Sequence, residues 1–238
     1  MTGLRDIWAY LSASPLLHLT LTLVAFQAGF WIYRRVHLNP LCNPVLLAVL
    51  AIVAILTATG TSYSRYFEGA QFVHFLLGPA TVALAIPLYR QFERVRRSAF
   101  AILVSLLMGS LTAALSAVLL VRLFGGSRDT MISMAPKSVT APVAMGISEQ
   151  LGGLPSLTAV LVILTGILGA MLGPPLLNLL GIRDWAARGL AIGTASHGIG
   201  TARALQVNEV AGAFAGLAMG LNALATAVLL PLLWRLLF

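Results

Sequence analysis

The chain has 238 residues, of which 59% are hydrophobic and 9% are charged, and its mean hydropathy is +0.93. Soluble domains carry about 25% charged residues, so this composition excludes an ordinary water-soluble globular protein. The net charge of +8 comes from 15 basic and 7 acidic residues. Positively charged loops and anionic lipid explain this excess, and no nucleic-acid partner is expected. Cys42 is the single cysteine, which leaves no internal disulfide and no thiolate metal cluster to expect.

Long uncharged tracts dominate the chain. A transmembrane helix needs about 20 apolar residues. Six tracts of 21 residues or more contain no Asp, Glu, Lys or Arg: Ile7–Tyr33, Leu38–Ser64, Gly69–Tyr89, Ser98–Val121, Gln150–Ile182 and Val210–Trp234. They predict an all-α polytopic membrane protein with about 6–8 transmembrane helices. We expect residues 1–238 to form a single transmembrane domain.

In chain order, two kinds of segment alternate. Long spans are predicted near Pro15–Tyr33, Asn43–Tyr63, Ser98–Phe124, Pro155–Leu180 and Glu209–Leu236. Less regular segments, rich in Gly and Pro, cover about residues 69–90, 131–150 and 188–206. Such interrupted segments, broken or re-entrant, often belong to internal repeats and point to a transporter's binding site.

Two similar sequence segments favour an internal repeat. Pro79-Ala80-Thr81-Val82 resembles Pro136-Lys137-Ser138-Val139 at an offset of 57 residues. Chance similarity between Ala- and Leu-rich segments is the alternative.

Lys137 is the only lysine, and it lies between two prolines in an otherwise apolar stretch. Pro136 and Pro142 are predicted to prevent a regular helix and to free backbone polar groups. A bilayer tolerates such backbone only where protein or a water-filled cavity surrounds it. With Ser138 and Thr140 beside it, Lys137 is a candidate site for a small organic anion. The alternative is an interfacial lysine that extends toward lipid headgroups.

A second motif spans residues 193–203 and contains four candidate contacts: Ser196, His197, Thr201 and Arg203. Gly198 and Gly200 predict a break, because glycine weakens a helix by roughly 1 kcal/mol relative to alanine. His197 titrates near neutral pH and can carry a proton. Arg203 can bind a carboxylate with two parallel hydrogen bonds. The alternative is a small-residue packing face, with His197 joining two helices.

Two weaker elements complete the candidate site. Pro79 predicts a third break and Thr81 a hydroxyl contact, although a simple proline kink is an equal interpretation. Asn43-Pro44 predicts a helix start, and Asn43 is included among the substrate contacts. No metal site, cofactor or enzymatic activity is expected, since the chain has no His-x-x-x-His spacing and no Gly-x-Ser-x-Gly motif.

The segments Pro136–Pro142 and Ser196–Ala202 resemble the two signatures of the LrgB/CidB family, and Asn43-Pro44 and Gly78-Pro79-Ala80 are similar to further elements of it. The family includes bacterial inner-membrane proteins described as antiholin-like, or as modulators of murein hydrolase export and autolysis. A plastid relative that carries glycolate and glycerate contains such a domain. The resemblance implies a multi-pass protein of the bacterial inner membrane. It also implies homo-oligomers, expected here as dimers, and in some cases a smaller LrgA/CidA-type partner.

Two functions follow. The first is a secondary transporter of small monocarboxylates such as glycolate, glycerate, lactate or pyruvate, coupled to protons and working by alternating access. The second is an antiholin-like regulator of murein hydrolase export and autolysis that acts through oligomerisation in the membrane. Small-residue faces such as residues 211–216 motivate the second. Polar residues gathered inside a cavity would favour the first, and polar residues on an outer surface the second.

Overall fold

The computed structural model describes residues 14–39 and 42–237, and of Leu77, Thr81 and Leu237 the backbone only. All regular secondary structure in these residues is helical. The helices are α1 (Pro15–Arg35), α2 (Pro44–Thr59), α3 (Tyr63–Phe75), α4 (Leu77–Ala83), α5 (Ala85–Arg90), α6 (Phe92–Arg97), α7 (Ala99–Leu123), α8 (Arg128–Met134), α9 (Ala141–Leu151), α10 (Pro155–Leu179), α11 (Trp185–Val207) and α12 (Glu209–Leu237).

Five helical stretches of the described residues are long and apolar enough to cross a membrane: Pro15–Arg35, Tyr63–Arg90, Ala99–Leu123, Pro155–Leu179 and Glu209–Leu236. A shorter apolar helix, Pro44–Thr59, adds to them. The predicted all-α polytopic membrane fold is confirmed. The first residues of the Ile7–Tyr33 tract lie outside the described residues.

The chain divides into two compact units, Met1–Ala83 and Leu84–Phe238. The first contains α1–α4. Its helices pack closely: the Gly29 position of α1 lies against the Pro44 carbonyl at the start of α2, where an added Cβ would approach to 2.8 Å. The Thr22 hydroxyl of α1 lies 2.9 Å from the Tyr66 hydroxyl of α3. The prediction of one transmembrane domain over residues 1–238 stays a prediction.

In the second unit, α11 packs on α12 through small residues. At Gly189 and Gly193 of α11, a side chain would overlap the carbonyl groups of Ala211 and Ala215 in α12. These positions therefore allow a close helix approach that larger side chains would prevent. The segment 211–216, which sequence analysis offered as a face for oligomerisation, is thus largely used for packing within the chain.

Two ion pairs connect α5 and α6 to the N-terminal ends of α12 and α11. Arg94 of α6 pairs with Asp184, the N-cap of α11, at 2.7 Å. Arg90 at the end of α5 pairs with Glu209 at the start of α12, at 3.0 Å. Because α7 follows directly after α6, the starts of α7 and α11 lie at the same end of the unit. These pairs are exposed, so each contributes at most about 1 kcal/mol.

Candidate functional site

The first break of the second unit separates α8 from α9. Residues 135–140 form no regular helix, and Pro142 lies in the first turn of α9, where its missing N–H costs nothing. Pro136 therefore lies within the interruption and Pro142 directly after it. Lys137 lies half-buried in this interruption, and its Nζ donates to the Ser138 hydroxyl over 3.3 Å. Among the described residues, no carboxylate forms an ion pair with Lys137.

The second break lies within α11, at His197. This residue has φ 40° and ψ −134°, which interrupts the helix, while the predicted break residues Gly198 and Gly200 keep helical angles. At Gly200, a side chain would approach the Ser196 Cβ to 2.6 Å. The glycines therefore accommodate a break that falls at the histidine itself.

The third predicted break, at Pro79, differs more from the observed structure than the first two do. Pro79 lies inside the short helix α4, and the helical run Tyr63–Arg90 is interrupted at Leu76 and Leu84. A proline early in a short helix loses little, because the first-turn N–H groups lack intrahelical partners. The hydroxyl of the candidate contact Thr81 lies outside the described side chains.

Asn222 of α12 joins the first two breaks. Its Nδ2 donates to the Thr194 carbonyl over 3.0 Å and to the Ser138 carbonyl over 3.3 Å. Its side chain is 1% exposed. The Thr226 hydroxyl donates to Asn222 Oδ1 over 3.5 Å and lies 3.2 Å from the Ser110 hydroxyl of α7. One buried polar network therefore connects α7, α11, α12 and the first interruption.

A cavity of about 530 Å³, which we call the central cavity, lies beside this network. Its polar lining consists of Lys137, Ser138, Thr165 and Ser196. Ala113 of α7 and Thr165 of α10 line it, and Asn222 donates a hydrogen bond to the carbonyl of the lining residue Ser138. Each of Ala113, Thr165 and Asn222 is within two residues of the midpoint of its helix. The polar lining therefore lies at mid-height of the long helices.

Two further cavities, each of about 370 Å³, adjoin the central one. The N-side cavity is lined by Ser105 and Gly109 in the first half of α7 and shares Ala113 with the central cavity. The C-side cavity is lined by residues from Ser116 to Gly126 and shares Met134 and Lys137 with the central cavity. Lys137 therefore lies on the wall between the central and C-side cavities.

The structure brings some candidate contacts into the cavity and leaves others outside. Lys137, Ser138 and Ser196 line the central cavity; Thr140, His197, Thr201 and Arg203 do not line the central, N-side or C-side cavity. Thr140 is the N-cap residue of α9. Arg203, half-buried, lies about two helical turns beyond Ser196.

His197 and Thr201 are used in packing. The His197 ring donates from Nε2 to the Val162 carbonyl of α10 over 2.9 Å, since a carbonyl only accepts. The Thr201 hydroxyl donates to the His197 carbonyl over 2.8 Å. This arrangement matches the alternative interpretation, in which His197 joins two helices.

Asn43 belongs to the first unit. Its Oδ1 accepts hydrogen bonds from the backbone N–H groups of Val45 and Leu46, over 2.8 and 3.3 Å. It is therefore the N-cap of α2, as the following proline predicts.

Sequence analysis missed Asn222 and Thr165. A signal existed for Asn222, the only amide in the apolar tract from Val210 to Trp234. Polar groups inside membrane helices usually bind one another or serve function. Thr165 offered no such signal, because membrane-helix threonines commonly bond to their own backbone.

The fold and the site together define the class of protein. The chain is an all-α polytopic membrane protein whose interrupted helices meet beside a cavity at mid-height. Residues 22–236 match the model of the LrgB-like family, and the chain belongs to this family. Its relatives include the holin-like protein CidB of Staphylococcus epidermidis, 36% identical over 94% of this chain and 96% of the relative.

Further relatives match the chain over a similar share of its length. CidB of Staphylococcus aureus is 34% identical over 94% of this chain and 96% of its own length. The uncharacterized protein YxaC of Bacillus subtilis is 39% identical over 89% of this chain and 92% of its own length. No solved structure matches the chain significantly.

Proposed function

We propose that this protein is a secondary transporter of small monocarboxylates in the bacterial inner membrane. One observation carries the proposal: Lys137 lines two cavities that extend in different directions. The C-side cavity follows α7 toward its C-terminal end, and the central cavity follows α10 toward its own C-terminal end, beside the start of α11. A cation at the centre of a bilayer costs about 2.5–3.5 kcal/mol. A carboxylate bound to Lys137 would offset that cost, and it would be reachable from either side in turn.

The hydroxyl groups around Lys137 support a carboxylate ligand. Ser138 and Ser196 come from the two interrupted segments and line the same cavity. A hydroxyl donates one hydrogen bond, and a carboxylate oxygen only accepts. Three donors on two separate segments suit one carboxylate, and a relative movement of these segments would change its access.

Proton coupling is part of the proposal. A monocarboxylate and Lys137 together are neutral, so a co-transported proton needs a further titratable group. His197 directly follows the cavity residue Ser196, and its ring binds α10 rather than lining the cavity. A change in His197 protonation would therefore act on substrate through the contact between α10 and α11.

The test is uptake of labelled glycolate and pyruvate into proteoliposomes, with and without an inward proton gradient. We expect gradient-driven uptake by the wild type and a loss of at least about tenfold in Lys137→Ala, one lost charge-assisted contact being worth about 1.5–3 kcal/mol. Arg183→Ala, which removes an exposed loop cation, is the matched control and should retain uptake. Equal uptake by both variants, or none by folded wild type, would contradict the proposal.

The second candidate is a holin-like regulator that acts through oligomerisation, as a dimer or with an LrgA/CidA-type partner. The name of the staphylococcal relatives, holin-like protein CidB, favours it. It predicts that Lys137→Ala retains its effect on cell lysis, whereas disruption of contacts between copies abolishes that effect. The placement of Lys137, Ser138 and Ser196 in a cavity supports the transporter instead.

A further inference from the structure

The central cavity changes in character along its length. Its polar groups, Lys137, Ser138, Thr165 and Ser196, lie together at the level of the helix midpoints. From there the wall follows α10 toward its C-terminal end and is lined by Leu168, Leu172, Leu176 and Leu177. Over the residues from Thr165 to Leu177, α10 rises about 18 Å.

The volume of the cavity exceeds what a very small acid needs. Glycolate has few non-hydrogen atoms, and at roughly 30 Å³ for each water-sized group it fills less than a third of such a space. The cavity measures about 530 Å³. A second charged or hydroxyl group placed beside Leu172 and Leu176 would lose its hydrogen bonds to water without replacement. The leucine wall therefore disfavours dicarboxylates and polyhydroxy acids.

We propose that the preferred substrates are monocarboxylates with an unbranched apolar chain of about four to eight carbons, in the size range that pockets of this volume enclose. This inference rests on the proposed transport function and specifies its substrate class. The carboxylate binds Lys137 and the hydroxyl groups of Ser138 and Ser196. The hydrocarbon chain lies along α10, past Leu172 toward Leu176, where each buried methylene strengthens binding.

The test measures binding to the purified full-length protein in detergent by isothermal titration, with empty micelles as the blank. The probes are glycolate, butyrate, hexanoate and 1-hexanol. We expect affinity to rise about three- to fourfold per methylene from butyrate to hexanoate. Lys137→Ala should weaken binding of all three acids by at least about tenfold, and 1-hexanol, which has no carboxylate, should bind at least about tenfold more weakly than hexanoate.

A matched pair of variants tests whether the dependence of affinity on chain length comes from the central cavity. Leu172 lines the central cavity, whereas Leu164 does not line it, and both are exposed leucines of α10, at 55% and 48%. Leu172→Gln should lower the ratio of hexanoate to glycolate affinity by at least about fivefold. Leu164→Gln should leave that ratio at the wild-type value.

The outcomes separate the two proposals. If glycolate binds through Lys137 but hexanoate binds no better, the substrate class is wrong and the transporter stands. If Leu164→Gln shifts the ratio as much as Leu172→Gln, the chain-length effect does not come from the cavity, and the inference also fails. If no acid binds to folded, monodisperse protein, the transporter itself is contradicted.

Discussion

His197 has backbone angles, φ 40° and ψ −134°, that residues with a side chain seldom adopt. Such a conformation costs about 1–3 kcal/mol and persists where the surroundings enforce it. Here the ring binds the Val162 carbonyl. The ring also occupies space left by Gly166 of α10, where an added Cβ would approach its Cε1 to 2.6 Å.

The variants His197→Gly and His197→Ala test this strain, because both remove the ring and only glycine accepts the backbone angles freely. We expect the glycine variant to be more stable than the alanine variant by about 1 kcal/mol, after glycine's own entropic cost is deducted. Thermal unfolding of both proteins in the same detergent measures the difference. An alanine variant that is equally or more stable would show that the break carries no backbone strain.

Gly169 and Gly173 lie one turn apart on α10 and differ in the space around them. An added Cβ at Gly169 would overlap the Ser196 hydroxyl, whereas at Gly173 the nearest atom, Ile192 Cγ1, would be 3.6 Å away. We expect Gly169→Ala to lose about 1–3 kcal/mol of stability through overpacking. Gly173→Ala should lose less than Gly169→Ala, because no side chain of a neighbouring helix overlaps its Cβ and only the crowding of a Cβ directly before Pro174 opposes it. Chemical denaturation of the two variants measures the contrast, and equal effects would contradict this packing.

At the scale of elements, Asn222 connects two interrupted segments that lie far apart in sequence. Unpaired carbonyl groups in a water-poor interior each cost about 1–3 kcal/mol, so Asn222→Leu should destabilise the protein by at least that amount. It should also speed hydrogen exchange in both segments, residues 135–141 and 194–201, because both lose the same donor. Mass spectrometry of exchanged peptides measures this.

Thr226→Val is the control for Asn222. It removes the hydroxyl that contacts Asn222 Oδ1 and leaves both donations from Nδ2 in place. Its effect on exchange in the two segments should therefore be small. Faster exchange in only one segment of Asn222→Leu would mean that the amide does not couple them.

The sequence predicted the positions of the helices better than the contacts between them. Uncharged length marked α1, α7, α10 and α12, and the prolines around Lys137 marked the first interruption, because these signals are local. The glycines of α11 indicated a break, but the strained residue is His197, since the angles depend on its bond to Val162 in another helix. Asn222 was missed for the same reason: its two acceptors lie 28 and 84 residues away.

At the scale of the whole second unit, the three cavities follow one another along α7. The lining runs from Ser105 in the N-side cavity, through Ala113 in the central one, to Phe124 in the C-side cavity. At 1.5 Å per residue, Ser105 to Phe124 spans roughly 28 Å, close to the hydrocarbon thickness of about 30 Å. Lys137 lies on the wall where the central cavity meets the C-side cavity.

This arrangement predicts that substrate shifts access between the two ends. Ser105→Cys and Ser116→Cys, each in a Cys42→Ser background, place a thiol in the N-side and C-side cavities. Both serines are exposed, and about three helical turns separate them on α7. If Lys137 serves the two sides alternately, saturating substrate should raise the rate of labelling by a membrane-impermeant maleimide at one thiol and lower it at the other. In Lys137→Ala neither rate should respond. Labelling rates that change in the same direction at both thiols would indicate that substrate simply blocks the cavities.

A thiol that the water-soluble maleimide never labels would mean that its cavity faces lipid. That cavity could then not be part of a substrate path across the membrane.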